Sequence, residues 1–265
     1  MFLLDQINIL PRKFQNFENF HSSQSEIKEL KEEFKNNTPF SIKIAGQSGN
    51  GVTHFCHAVC NYWLERNYKV MIISSEWLAY FSYILANEQR LAFLNELNTY
   101  DVIAIDNIEF NFKKSKRKTD IFYELIQSRN QSEKCMVLGC SDLKKDVSKN
   151  KNVSFVNFQK LILKEPSSTD VFRALKSNTS REDDISEILL YLISSYNGSI
   201  QEHLNCLISL RFKSHFKDVN LEQMTFQEID SFFELKEYFK RQQFRKCFFQ
   251  YELDFSKINF EKLIF

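Results

Sequence analysis

Glycine, proline and excess charge are all scarce in this chain, and each scarcity removes a class of explanation. Of 265 residues only five are glycine and three are proline, too few for a collagen-like, linker-rich or low-complexity polypeptide. No run of about eighteen apolar residues occurs, so no membrane-spanning helix is expected. The opening Met1-Phe2-Leu3-Leu4-Asp5 reaches an acid with no basic stretch before it, unlike a secretory signal. The six cysteines form no CxxC pair and keep no regular spacing, so reduced thiols in a cytoplasmic protein are the expectation. A formal net charge of +1 argues neither for nor against nucleic acid, since a basic face can be balanced elsewhere. What is left is a composition of ordinary globular kind, 43% hydrophobic and 26% charged. The length suits one α/β domain with a helical annex, or two small domains.

The few glycines present are concentrated. Gly46, Gly49 and Gly51 fall within six positions, which points to an unusual backbone there. Before them, residues 40–45 alternate like a strand; after them, residues 53–66 read as a helix with Phe55, Val59, Tyr62 and Trp63 on one side. A strand, a glycine turn and a helix in that order are the setting of a phosphate-binding loop. Further strands are predicted over 69–74, 101–106, 134–140 and 158–163, with helices over 75–98 and 119–130 between them. This alternation predicts an α/β fold, a parallel sheet with helices on both faces. After Pro166 only helices are predicted, near 168–177, 182–196, 199–213, 225–229 and 231–250. The expected division is a tail (1–13), a base domain (14–165), a small all-helical lid (166–230) and a C-terminal helical extension (231–265).

The loop Gly46-Gln47-Ser48-Gly49-Asn50-Gly51-Val52-Thr53-His54 follows the phosphate-loop pattern GxxxxGK[ST] except at one place. Its glycines let backbone N–H groups turn toward an anion, and the helix that follows adds its positive end. Thr53 stands where a hydroxyl would hold Mg²⁺. Val52 takes the place of the lysine, and an isopropyl group cannot reach or neutralise phosphate charge. Weak binding of ADP or ATP, with Mg²⁺, is therefore expected, and efficient phosphoryl transfer is not. The stretch Asp101-Val102-Ile103-Ala104-Ile105-Asp106 has the form of a hydrophobic strand ending on the carboxylate that faces such a metal. The residue after it, Asn107, cannot act as a base, and Glu109 is a poor geometric substitute. A further strand runs out at Ser141 and Asp142, either of which could sense a γ-phosphate. No catalytic residue is assigned. The candidate nucleotide-binding set is Gly46, Gly49, Asn50, Gly51, Val52, Thr53, His54, Asp106, Asn107 and Asp142.

Taken together, these segments resemble the bacterial DnaA family of AAA+ proteins. Phe17-Glu18-Asn19-Phe20, the loop running into Phe55-Cys56-His57-Ala58, the strand end Ile105-Asp106-Asn107-Ile108-Glu109, and Ser141-Asp142 occur in that family's order over about residues 14–230. The resemblance stops short of a DNA-binding helix-turn-helix domain, so the expected plan is that of the shorter Hda-type DnaA regulators. Those proteins carry a sliding-clamp-binding peptide before the AAA+ domain. Gln6, Ile7, Ile9 and Leu10 stand at that place, a glutamine for a polar pocket and aliphatic side chains for an apolar groove. The family's arginine finger falls at Phe155 here, and its nucleotide-sensing lid arginine at Gln201. With Val52 and Asn107, four working positions are changed.

The resemblance thus implies a regulator of chromosome replication initiation, with the sliding clamp and DnaA as partners and no membrane partner. It would act by binding rather than by its own ATP hydrolysis. Contact with nucleic acid is expected to be indirect or weak. Hda-type proteins promote hydrolysis of DnaA-bound ATP, so Lys151 or another base must replace the finger, or occupancy alone must regulate. The alternatives are an ATP-dependent helicase loader of the DnaC/IstB type and a nucleotide-free AAA+-derived scaffold. Three smaller features are set beside this reading. His54, Cys56, His57 and Cys60 crowd one helix but do not have the two-element arrangement usual for zinc. The run 113–118 has five basic residues in six and reads as a solvated loop or as a contact for nucleic acid or an acidic partner surface. The aromatic tail from Ser231, with Phe232, Phe233, Leu235 and Phe239, reads as a helix packed on the rest or as a partner-binding element.

Overall fold

The structure is a computed structural model, and it describes residues 10–36, 38–85, 87–108, 116–141, 157–179, 187–217, 234–235 and 237–240. Five short strands, β1 (Ile42–Gly46), β2 (Val70–Ser74), β3 (Val102–Asp106), β4 (Cys135–Cys140) and β5 (Gln159–Leu163), coincide with the expected stretches. They pair side by side in the order β2-β3-β4-β1-β5, every pair parallel. Strands running one way gather their C-terminal ends on one edge, and the chain leaves β1 toward one side while β5 returns on the other. Such an edge, at the strand where the order reverses, is where open α/β sheets bind ligands.

Side chains two apart share a face of a strand, which divides the core in two. Val70, Ile72, Val102, Ala104 and Val137 face α1 (Ser25–Asn36) and α2 (Val52–Leu64), packing with Ile27, Phe34, Phe55 and Trp63. Met71, Ile73, Ile103, Ile105, Met136 and Leu138 face the other way, onto Leu78 and Phe81 of α3 (Ser75–Ile84), Leu97 of α4 (Asn87–Leu97) and Leu125 of α5 (Lys116–Gln131). Each such aliphatic side chain, fully buried, contributes about 1.5–3 kcal/mol. The expected helix over 75–98 is two helices, because Leu85 takes an extended backbone (φ −80°, ψ 127°). Helix α1 was not anticipated, although Ile27, Leu30 and Phe34 form its buried stripe at spacings that a helix aligns.

Arg129 fixes the edge of the sheet away from the strand C-termini. Its side chain is wholly buried and donates to the carbonyls of Leu97, Tyr100, Asp101 and Cys135 at 3.4, 3.0, 2.8 and 2.6 Å. Burial lowers its pKa to about 10, so it keeps its charge at neutral pH. One guanidinium thereby ties the entries of β3 and β4 to the ends of α4 and α5.

The remaining helices form a cluster with its own core. α6 (Ser168–Ser177), α7 (Glu187–Ser194) and α8 (Ile200–Lys217) bury Val171, Leu175, Leu189, Ile193, Leu207 and Leu210 against one another, and Leu235 and Phe239 join them. Helix α6 opens with a capping box, Ser167 and Asp170 each satisfying the other's backbone N–H. Asp170 also accepts a hydrogen bond from Ser23 at 2.8 Å. Gln6, Ile7, Ile9, Glu109, Asp142, Lys151, Phe155, the segment 225–229 and most of 231–250 lie outside the described residues. Among the described residues no helix is long and apolar enough to cross a membrane.

Candidate functional site

The glycine loop joins β1 to α2 at the C-terminal edge of the sheet. Gly49 and Gly51 have φ of +86° and +93°, a region that side chains rarely tolerate, which explains why glycine is spent here. Space makes the same demand. A Cβ on Gly49 would stand 2.5 Å from Ser199 Oγ, and one on Gly51 would stand 3.0 Å from the Phe20 ring.

Val52 does not replace the lysine in kind. It is 3% exposed, and its methyl groups lie 3.0 and 3.3 Å from where Cβ atoms on Gly46 and Gly139 would be. The valine therefore fills the floor between β1 and β4 beneath the loop. Thr53, next along, donates its hydroxyl to Asp106 Oδ2 at 2.7 Å. The other oxygen, Oδ1, is buried without a hydrogen-bond partner. Burial pushes the Asp106 carboxyl above the usual carboxylate range, against the Thr53 hydroxyl and the Asn107 N–H, while Glu76 raises it further and Arg12 lowers it. Asn107 is in the left-handed region (φ 56°), which asparagine tolerates better than most residues. Its carbonyl accepts a hydrogen bond from the Ser75 hydroxyl. An asparagine at this position thus serves the backbone as well as lacking a carboxylate.

A cavity of about 790 Å³ opens over the loop, a size suited to a small organic ligand. Gly49, Gly51, Val52, Thr53, His54 and Asn107 line it, together with Ser141 and Gln201. Asp106 reaches it through Thr53. Gly46 and Asn50 stand behind the loop, Gly46 ending β1 and Asn50 buried with its N–H bonded to Gln47. The helical cluster closes the far side. Ser199 and Glu202 satisfy each other's backbone N–H at the start of α8, and the Gln201 N–H reaches Gly49 O at 3.4 Å. The Gln201 amide group is turned along its own helix, donating to Asn205 at 2.9 Å.

The third wall was not foreseen from sequence. Residues 10–20 form a strap laid over α2. The Arg12 N–H donates to His57 Nδ1 at 3.0 Å. Asn61 Nδ2 donates to the carbonyls of Arg12 and Gln15 at 2.9 and 2.8 Å. His54 Nε2 bonds Asn16 O and Asn19 Oδ1 at 3.2 and 2.8 Å. Phe20 packs edge-on against both His54 and Phe55. The two histidines of the His54–Cys60 cluster therefore anchor the strap, while Cys56 and Cys60 are buried in the core. Burial, with the Arg12 charge and then His54, pushes His57 down to about 4, so it stays neutral and can accept. Arg12, Phe14, Asn19 and Phe20 from this strap, and Glu76 from α3, are among the further residues that line the cavity. Leu10, the described member of the expected clamp peptide, is 57% exposed.

A parallel sheet in this strand order, a glycine loop over its C-terminal edge, an aspartate ending the third strand and a helical cluster closing the cavity define a P-loop domain of the AAA+ kind. The comparisons with known proteins narrow that class. The family model for the bacterial DnaA ATPase domain matches residues 3–159, and the chain belongs to that family. It is 25% identical over 173 residues to the chromosomal replication initiator protein DnaA of Corynebacterium jeikeium (strain K411), an alignment covering 62% of this chain and 30% of the relative. The chain thus spans about a third of that relative's length. Among solved structures it is similar to domain III of Thermotoga maritima DnaA (TM-score 0.66, 19% identity, 87% of this chain and 99% of that one). It is also similar to AMPPCP-bound DnaA from Aquifex aeolicus (TM-score 0.62, 20% identity, 83% and 70%). At these identities the structural likeness speaks for the fold.

Proposed function

We propose that the chain is a DnaA-homologous regulator of replication initiation that acts in the cytoplasm by binding, not by hydrolysing ATP itself. On this reading it holds the sliding clamp through Gln6, Ile7, Ile9 and Leu10 and meets DnaA through its AAA+ face. The observation that carries it is Val52, buried as a packing residue where catalysis needs a cation, with Gln201 bonded along its own helix. A nucleotide site without these charges can still bind. The glycine cradle, the cavity and the orphaned Asp106 Oδ1 suit ADP or ATP held weakly, and Thr53 and Asp106 are the residues that would hold Mg²⁺. That Mg²⁺, when bound, would neutralise charge between the phosphates. AMPPCP in the Aquifex relative is consistent with this use of the cavity.

The test is ATP turnover, measured for this chain alone and for DnaA with clamp and this chain added. The expected result is no turnover by the chain alone and a clamp-dependent change in turnover by DnaA, abolished by Gln6→Ala. Turnover by the chain alone returns the loader reading. No effect on DnaA and no clamp binding overturn the regulator.

A further inference from the structure

The cavity has a charge problem. Glu76 lines it and Asp106 sits behind Thr53, while Val52 and Gln201 contribute no positive charge. A phosphate chain entering over Gly49–Thr53 would meet backbone N–H groups and two carboxylates. Among the described lining residues, Arg12 is the one arginine or lysine.

Its placement is built rather than incidental. Both backbone polar groups of Arg12 are taken by α2 side chains, the N–H by His57 and the carbonyl by Asn61. Helix α2 starts at the glycine loop itself. The Arg12 backbone is therefore fixed relative to the loop through one rigid element. Its side chain, by contrast, is exposed and has no hydrogen bond or ion pair with a described residue. A guanidinium left free on a pinned backbone, at the rim of a cavity with a glycine cradle, is poised for a ligand oxygen. Its charge is felt inside, since it is one of the groups that oppose the upward push of burial on the Asp106 carboxyl.

We propose that Arg12 is the phosphate-binding cation of this cavity, supplying from the strap the charge that the loop lacks. The ligand class is a nucleoside diphosphate, whose oxygens a guanidinium fork can engage in pairs. The proposal rests on the reading of this cavity as a nucleotide site. It also makes strap docking part of phosphate binding, because lifting the strap removes the cation.

The test is calorimetric titration of the full chain with ADP and, separately, with adenosine. Arg12→Gln is expected to weaken ADP binding by about tenfold or more, the scale of one charge-assisted contact, and to leave adenosine binding unchanged. Adding Val52→Lys to Arg12→Gln is expected to restore ADP binding, by returning a cation from the loop side. Unchanged ADP affinity in Arg12→Gln overturns the role of Arg12 while leaving the cavity a nucleotide site. Equal losses for ADP and adenosine also overturn it, assigning Arg12 to holding the strap. If the folded parent chain binds neither compound, the nucleotide reading fails, and this proposal with it.

Discussion

Two of the three walls of the cavity are made in opposite ways. The loop wall, from β1 into α2 with the end of β3, is shaped by backbone. Two glycines at positive φ make the turn, a valine fills the floor, and the polar chemistry reduces to one hydroxyl on one carboxylate. The strap wall is held by side chains of α2 gripping backbone groups of residues 12–16, and it carries an arginine. The loop has kept its geometry and lost its charge; the strap has little regular geometry and brings the charge. If Arg12 meets phosphate as proposed, the shape and charge that an ordinary phosphate loop combines are here separated.

Each wall can be broken on its own terms. The largest effect is expected from Gly51→Val, which forces a β-branched residue to φ +93° and into the Phe20 ring. The cost should be about 3 kcal/mol, from backbone strain and overpacking together, read as a lower urea midpoint. The strap wall should respond instead to pH. The unfolded chain takes up a proton on His57 from about pH 6.5 downward, whereas the folded protein resists until about 4, so stability falls as pH drops through that window. About 2 kcal/mol is expected, less than the full value of the shift because solvent beside the strap screens the ring. His21 and His54, also held below their usual range, add in the same sense, and Asp106, held above its own, opposes them. His57→Gln should flatten the urea midpoint against pH; an unchanged slope removes His57 from the strap. The smallest effect belongs to Asn61→Ala, about 1 kcal/mol for hydrogen bonds whose carbonyls can turn to water. Its signature is local: faster proteolysis within residues 10–20, with the core containing Phe55 and Trp63 left intact.

The loop wall was legible in the sequence and the strap wall was not, for a physical reason. Strands β2, β3 and β4 announce themselves because a strand buried on both faces reads as a short continuous apolar run, while β1 and β5 show by alternation. The glycine loop shows because few other residues accept its backbone. These are local requirements, written where they act. The strap is held by bonds spanning 35 to 49 residues, and no spacing rule links Arg12 to His57 or Asn16 to His54. Read locally, the histidines suggested a nucleotide-site position at His54 and a metal-like cluster, not an anchor for a distant segment. Arg12 was passed over for the same reason, since nothing near it in sequence marks it as part of a cavity. Helix α1 is a different case: its stripe of Ile27, Leu30 and Phe34 was there to be read. The break at Leu85 is different again, because residues 75–98 carry no proline or glycine to signal an interruption.

Arg129 has a consequence for how such a protein can change over time. By tying four carbonyls at the entry edge of the sheet, it secures strand alignment at the end opposite the cavity. Maintenance of shape and exchange with ligands thus fall on opposite edges of one sheet. Residues at the cavity edge are free to drift, as a lysine position that now holds valine illustrates, without unsettling the framework. Strand alignment at the far edge therefore does not depend on which side chains stand at the rim.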